Sequence, residues 1–167
     1  MLTSTIIALA ITQSGINLPP LPKEDVVCLA QNIYHEARNQ SERGQVAVTH
    51  VVLNRMKSDR YPSTACKVIK QARWKDGKII KDKCQFSWYC DGRPDVNPER
   101  PRDRESWVKA LQVALDSYML YHLGFDVTDG ATYYHASYVR PWWRKHFQRV
   151  TRIGTHIFYK RKEKIQS

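Results

Sequence analysis

The chain has few glycines and few acids, and it lacks the short signatures that mark many enzyme classes. Only 7 of its 167 residues are glycine, and they build neither a Gly-rich phosphate loop nor a G-x-S-x-G nucleophile elbow. The four cysteines, Cys28, Cys66, Cys84 and Cys90, include no C-x2-C pair and match no zinc pattern. His35-Glu36 begins like a zinc-protease helix, but the second histidine of H-E-x-x-H would fall on Asn39. No metal and no cofactor is therefore expected. The most apolar stretch, residues 2–11 (LTSTIIALAI), is too short to span a bilayer. Internal repeats and low-complexity segments are absent too. Acids are the scarcer charge, 16 against 27 Lys and Arg, which leaves a formal charge of +11. That excess calls for a polyanionic partner, either nucleic acid or the phosphate and carboxylate polymers of bacterial envelopes.

What is present fits one globular unit with a real core. An aromatic content of 11% argues against disorder. Residues 1–22 read as an appendage ending in Pro19, Pro20 and Pro22, residues 23–160 as the domain, and residues 161–167 as a basic tail. Ala8-Leu9-Ala10 resembles a signal-peptidase site, yet no basic residue precedes the apolar run. Secretion signal, membrane tether and plain first helix all stay open. Cys28 sits in an apolar helical pattern as a buried thiol. A disulfide among Cys66, Cys84 and Cys90 is open if the protein works outside the cytosol.

Apolar residues at Val26, Leu29, Ala30, Ile33 and Ala37 mark a first helix with one buried face, and Glu24 and Asp25 suit its N-terminal dipole. Ser41 caps a second helix whose face is Ala47, Val48, Val51, Val52 and Met56, so the two form a hairpin. Gly44 would admit a close backbone approach. A short helix follows over residues 64–71, then a basic segment with a turn at Asp76-Gly77. Residues 93–102 read as an exposed loop. Asp103 caps a longer helix with Trp107, Ala110, Leu111, Ala114, Leu115, Tyr118 and Tyr121 on its face, closed by Gly124. Residues 131–136, 149–153 and 155–160 are rich in strand formers, with a turn entering a short helix between the first two. The fold class is α+β, mainly helical, with a small C-terminal antiparallel sheet.

Glu36 projects from the edge of the first helix's apolar face. A carboxylate half-sunk in apolar surroundings loses hydration, and its pKa rises toward the range a general acid needs. The bland reading is a boundary carboxylate paired with Arg38. A second unusual stretch, residues 84–92 (CQFSWYCDG), mixes three aromatics with small polar groups. It suits either a sugar-binding groove or a buried loop stapled by cysteines.

Three separated pieces, LAQNIYHEARNQSERGQVAVTHVVLNR (29–55), CQFSWYCDG (84–92) and ATYYHASYVRPWW with RIGTHIFY (131–159), give the chain a resemblance. It resembles the cell-wall hydrolase family typified by spore-cortex-lytic enzymes of the SleB type, and the pieces occur in the family's order. The resemblance implies a lysozyme-like α+β domain that cleaves peptidoglycan glycan strands between N-acetylmuramic acid and N-acetylglucosamine. It puts the catalytic glutamate on Glu36, a substrate-binding motif on Gln85, Phe86, Ser87 and Trp88, and a Tyr-His element on Tyr134 and His135. The chain departs from the family at Tyr133, often histidine there, and at Asn39, often glycine.

A two-carboxylate glycosidase needs a second acid across the scissile bond. The groove segments offer only Asp91, in a turn, and Asp95, in the loop beyond. A lytic transglycosylase avoids that need, because the sugar's own 6-hydroxyl is the nucleophile and one glutamate serves as acid and then base. This is the expected chemistry, with muramidase action second. A basic protein that binds nucleic acid or envelope without catalysis is the remaining alternative. The expected partners are peptidoglycan glycan strands and anionic envelope polymers, with no specific nucleic acid. The acting form is expected to be a monomer working outside the cytoplasm or delivered to the wall by a phage.

Overall fold

The computed structural model describes residues 18–93 and 100–162. The apolar N-terminal segment, Asp95 and the end of the basic tail lie outside them. Helix α1 (Lys23–Ala37) starts behind Pro22 and buries Cys28, Leu29, Ala30, Ile33 and Ala37. Asp25, expected to serve its own helix, is instead 5% exposed and accepts a 2.9 Å hydrogen bond from the Cys66 amide. It thereby satisfies an orphan donor at the start of a neighbouring helix, α3 (Ala65–Ile69), whose own cap is Thr64.

Helix α2 (Glu42–Lys57) begins at Ser41, whose Oγ accepts from the Gly44 amide. The neighbour that would meet a Cβ on Gly44 is the Gln40 side chain, at 2.9 Å, and not a second backbone. Val48, Val51, Val52 and His50 are fully covered, so α2 is the central helix, packed on more than one side. Buried Gln45 reaches back 3.2 Å to the Ala37 carbonyl and so closes the C-terminal end of α1.

Cys28 is not a free thiol: it is bonded to Cys66, joining α1 to α3, and Cys84 is bonded to Cys90. Burial hides a cysteine whether or not a partner waits, which is why the apolar pattern around Cys28 misled. Strands β1 (Ala72–Lys75) and β2 (Lys78–Cys84) form a hairpin through Asp76 (φ 50°) and Gly77 (φ 72°), the positive-φ pair of a type I′ turn. The short 3-10 turn Ser87–Cys90 follows.

Helix α4 (Pro101–His122) crosses α1 and α2. It starts with Pro101 at its first turn, earlier than a cap at Asp103 would allow, because proline already has the helical φ and no amide to satisfy. Asp103 instead accepts a 2.5 Å hydrogen bond from the Tyr34 hydroxyl on α1. The buried face is Ala110, Val113, Ala114, Ser117 and Tyr118, while Leu115 is 44% exposed. The seam thus runs through the small side chains Ala110, Ala114 and Ser117 and leaves Leu115 outside it.

The last element is a three-stranded antiparallel sheet of order β3-β5-β4, with β3 (Tyr133–Ala136), β4 (Phe147–Ile153) and β5 (His156–Arg161). A 3-10 turn, Trp142–His146, lies between β3 and β4. Phe158 and Ile153 anchor the sheet in the common core. The β4–β5 turn touches the α1–α2 connection, where Gln40 Oε1 accepts from the Thr155 amide at 3.2 Å. A Cβ on Gly154 would stand 2.6 Å from that oxygen.

Candidate active site

Glu36 lies in the last turn of α1, half-buried, and its Oε2 accepts a 3.0 Å hydrogen bond from the Tyr134 hydroxyl on β3. Burial raises the pKa of Glu36 above the ordinary carboxylate value; the Tyr134 hydrogen bond and the charge of Arg55 pull it down by less. Tyr134 is pushed well above its usual range by burial and by the adjacent carboxylate, so it remains an O–H donor at any working pH. Its ring packs against those of His156, at 5.2 Å, and Phe158, at 5.6 Å.

The charge that steadies Glu36 is Arg55, from the last turn of α2, and not Arg38, whose guanidinium sits over the Tyr34 ring at 4.9 Å. Arg55 is 2% exposed and donates from Nε to the Thr132 carbonyl at 2.8 Å. Its guanidinium lies over Phe86, Tyr61 and Tyr133 at 5.3, 5.4 and 5.8 Å. Such faces hold a buried cation that, among the described residues, forms no ion pair with a carboxylate. The preceding residue, Asn54, donates to Asp126 Oδ2, Thr128 Oγ1 and the Ala131 carbonyl at 2.9, 3.1 and 3.0 Å. Asn54 and Arg55 together fix the segment that leads into β3, and so fix Tyr134. Neither was singled out from the sequence, although an Asn-Arg pair inside an apolar helical pattern was the available signal.

The second motif lies around this centre but uses much of itself internally. Trp88 is 7% exposed, stacks on His35 at 4.5 Å and 11°, and donates from Nε1 to Asn32 Oδ1 at 3.1 Å. Phe86 is 4% exposed beneath Arg55. Gln85 and Ser87 alternate with them and are exposed. The strand's two-residue period sends Tyr134 and His135 to opposite faces. His135 packs against Trp143 and Tyr159, with Nε2 3.0 Å from the Tyr159 hydroxyl, away from Glu36.

Among the described residues no acid is electrostatically coupled to Glu36, and no three His, Cys, Asp or Glu side chains gather as metal ligands would. Asp91 is engaged locally, accepting from the Arg93 amide at 2.8 Å. Asp126 takes hydrogen bonds from Thr128, Gly130 and Asn54 and lies 3.3 Å from His50 Nδ1, so its oxygens are engaged in holding a loop.

A family model for cell wall hydrolases matches residues 39–159. The chain belongs to the cell wall hydrolase family. It is 30% identical over 137 residues to the spore cortex-lytic enzyme of Bacillus subtilis, an alignment spanning 80% of this chain and 37% of that protein. The spore cortex-lytic enzyme of Bacillus cereus is 30% identical over 148 residues, 87% of this chain and 48% of that one. The chain thus spans less than half the length of these curated relatives. Among solved structures, the catalytic domain of the germination-specific lytic transglycosylase SleB from Bacillus anthracis superposes with a TM-score of 0.61 at 29% identity, covering 86% of this chain and 100% of that one. This cell wall hydrolase therefore has the lysozyme-like α+β fold that the resemblance implied. The family model begins just after Glu36, so the assignment of that residue rests on its surroundings.

Proposed function

We propose that this cell wall hydrolase degrades the glycan strand of peptidoglycan as a lytic transglycosylase, with Glu36 as its acid and then its base. The observation that carries the reading is a single half-buried carboxylate, raised in pKa, whose polar neighbours are a tyrosine hydroxyl and a cation. Protonated Glu36 donates to the oxygen joining C1 of N-acetylmuramic acid to N-acetylglucosamine. The C1–O bond breaks, and the leaving sugar departs with a free hydroxyl. Positive charge then develops at C1 beside the new Glu36 carboxylate, which attracts it. The 6-hydroxyl of the same muramoyl sugar attacks C1 while Glu36 takes its proton, giving the 1,6-anhydro ring and restoring the acid. No water is consumed and no second carboxylate is needed.

Burial keeps the proton on Glu36 for the first half-step. Tyr134 and Arg55 stabilise the carboxylate formed between the halves. The exposed side chains of the second motif, Gln85 and Ser87, are the members free to bond sugar hydroxyls or the acetamido group. The two disulfides support work outside a reducing cytosol. The excess positive charge supports adhesion to anionic envelope polymers. Since Glu36 and Tyr134 come from one chain, a monomer suffices.

The test is digestion of purified peptidoglycan by wild type and Glu36→Gln, with mass analysis of the products. Wild type should release muropeptides ending in 1,6-anhydromuramic acid, and the variant essentially none. Reducing ends that have gained water would replace the transglycosylase by a muramidase. Equal release by both proteins would remove Glu36 from the chemistry.

A further inference from the structure

From Gly130 to Lys162 the chain contains no Asp or Glu, but it carries eight Lys and Arg: Arg140, Arg144, Lys145, Arg149, Arg152, Lys160, Arg161 and Lys162. Among the described residues only Lys160 has an acidic partner, Asp129 at 2.9 Å. The sheet is thus a one-signed surface. Arginines on an edge strand also discourage edge-to-edge pairing, which would explain Arg149 and Arg152 on β4. That reason does not reach the aromatics. Tyr138 and Trp142 are 85% and 79% exposed, the two most exposed large apolar side chains among the described residues. Both belong to the connection leaving β3, with Arg140 between them and Lys145 just beyond. Tyr138 follows Tyr134 by four residues, so at full extension it lies at most about 14 Å from the residue that holds Glu36.

We propose that the β3–β4 connection and the adjoining rim of β4 form a second contact for peptidoglycan, with Tyr138 and Trp142 stacking on sugar rings. Arg140, Lys145 and Arg149 face the carboxylates of lactyl and stem-peptide groups. This contact rests on the glycan-cleaving reading of Glu36 and extends it along the polymer. Open aromatic faces beside unpaired cations suit a chain of rings bearing acids, whereas cations alone would bind any polyanion. Continuity favours peptidoglycan over nucleic acid, because the strand that bears Tyr134 into the catalytic centre runs directly into this connection. A polymer held at one is within reach of the other.

The experiment measures co-sedimentation with purified sacculi in the inactive Glu36→Gln background, and cleavage in the otherwise wild-type protein. Variants are Tyr138→Ala with Trp142→Ala, and Arg140→Ser with Lys145→Ser and Arg149→Ser. Each set should weaken sacculus binding by about tenfold, as the loss of two ring platforms or three facing charges implies. Melting temperature and cleavage of short soluble glycan fragments should not change. Amidation of the sacculus carboxylates should weaken the parent protein as much as the cation variants do. Unchanged binding in both variant sets would overturn the proposal. So would loss of binding on stripping phosphate-rich polymers from the sacculi, or equally tight, variant-sensitive binding to duplex DNA. The underlying reading fails separately: it falls if wild type releases no muropeptides, whereas wild-type release with fully active, tightly bound variants removes the second contact alone.

Discussion

Replacing Glu36 by Gln should stabilise the fold while ending catalysis, and the gain should depend on pH. Burial is the largest influence on this carboxylate, and neither the 3.0 Å Tyr134 hydrogen bond nor the Arg55 charge cancels it. The folded protein therefore holds the Glu36 proton more tightly than the unfolded chain, whose reference value is 4.5. Below that value the group is protonated in both states and contributes no difference. As pH rises through the folded pKa, the folded state must hold a poorly hydrated charge, so stability falls and stays lower. Glutamine mimics the neutral acid and carries no such penalty. Each kilocalorie per mole so recovered raises the melting temperature of a domain this size by about 2–4 °C. Thermal scans from pH 4 to pH 8 on wild type and variant should show curves that coincide at the acid end and separate toward neutrality, the variant melting higher. A variant that melts lower at pH 8, or a gap independent of pH, would refute the claim that desolvation dominates at Glu36.

Tyr134→Phe removes the bond that lowers the Glu36 pKa, so the alkaline limb of the rate–pH profile should move up and kcat should fall by about tenfold; a downward shift would contradict the assigned hydrogen bond. Asp126→Ala should cost about 2–4 kcal/mol, since Thr128, Gly130 and Asn54 lose their acceptor. Burial pushes Asp126 up, but its hydrogen bonds outweigh that and hold it well below the usual carboxylate range. Its contribution is therefore fully present above the ordinary aspartate range and fades as pH falls, which acid titration of unfolding in wild type against variant would detect. Cys28 and Cys66 are 38 residues apart and Cys84 and Cys90 six, so removing the first bridge should cost about 4 kcal/mol and the second about 2 kcal/mol in denaturant melts.

The helices and strands near the site were legible because burial on one side imposes a period. That period put Glu36 at the rim of α1, where the structure has it half-buried. The β1–β2 hairpin gave no comparable signal, since every residue from Arg73 to Lys83 except Ile79 is exposed and no alternation is required. The aromatics of residues 84–92 could not be divided into groove and core beforehand. Their fate depends on Asn32 and His35, more than fifty residues earlier, which meet Trp88 only in the folded chain. Arg55 was hidden for a similar reason: besides nearby Tyr61, its environment takes Phe86 and Tyr133 from two distant segments.

The bond between Tyr134 and Glu36 spans 98 positions of sequence and joins the two structural halves, sheet and helices. On the proposed mechanism, activity is therefore a readout of docking between those halves. If the sheet lifts from the helical body, α1 can keep its shape and its glutamate while that glutamate loses the hydroxyl that positions it. Heat or mild denaturant should silence such a molecule while its helical signal is still near native, and cooling should restore cutting as soon as the two halves meet again.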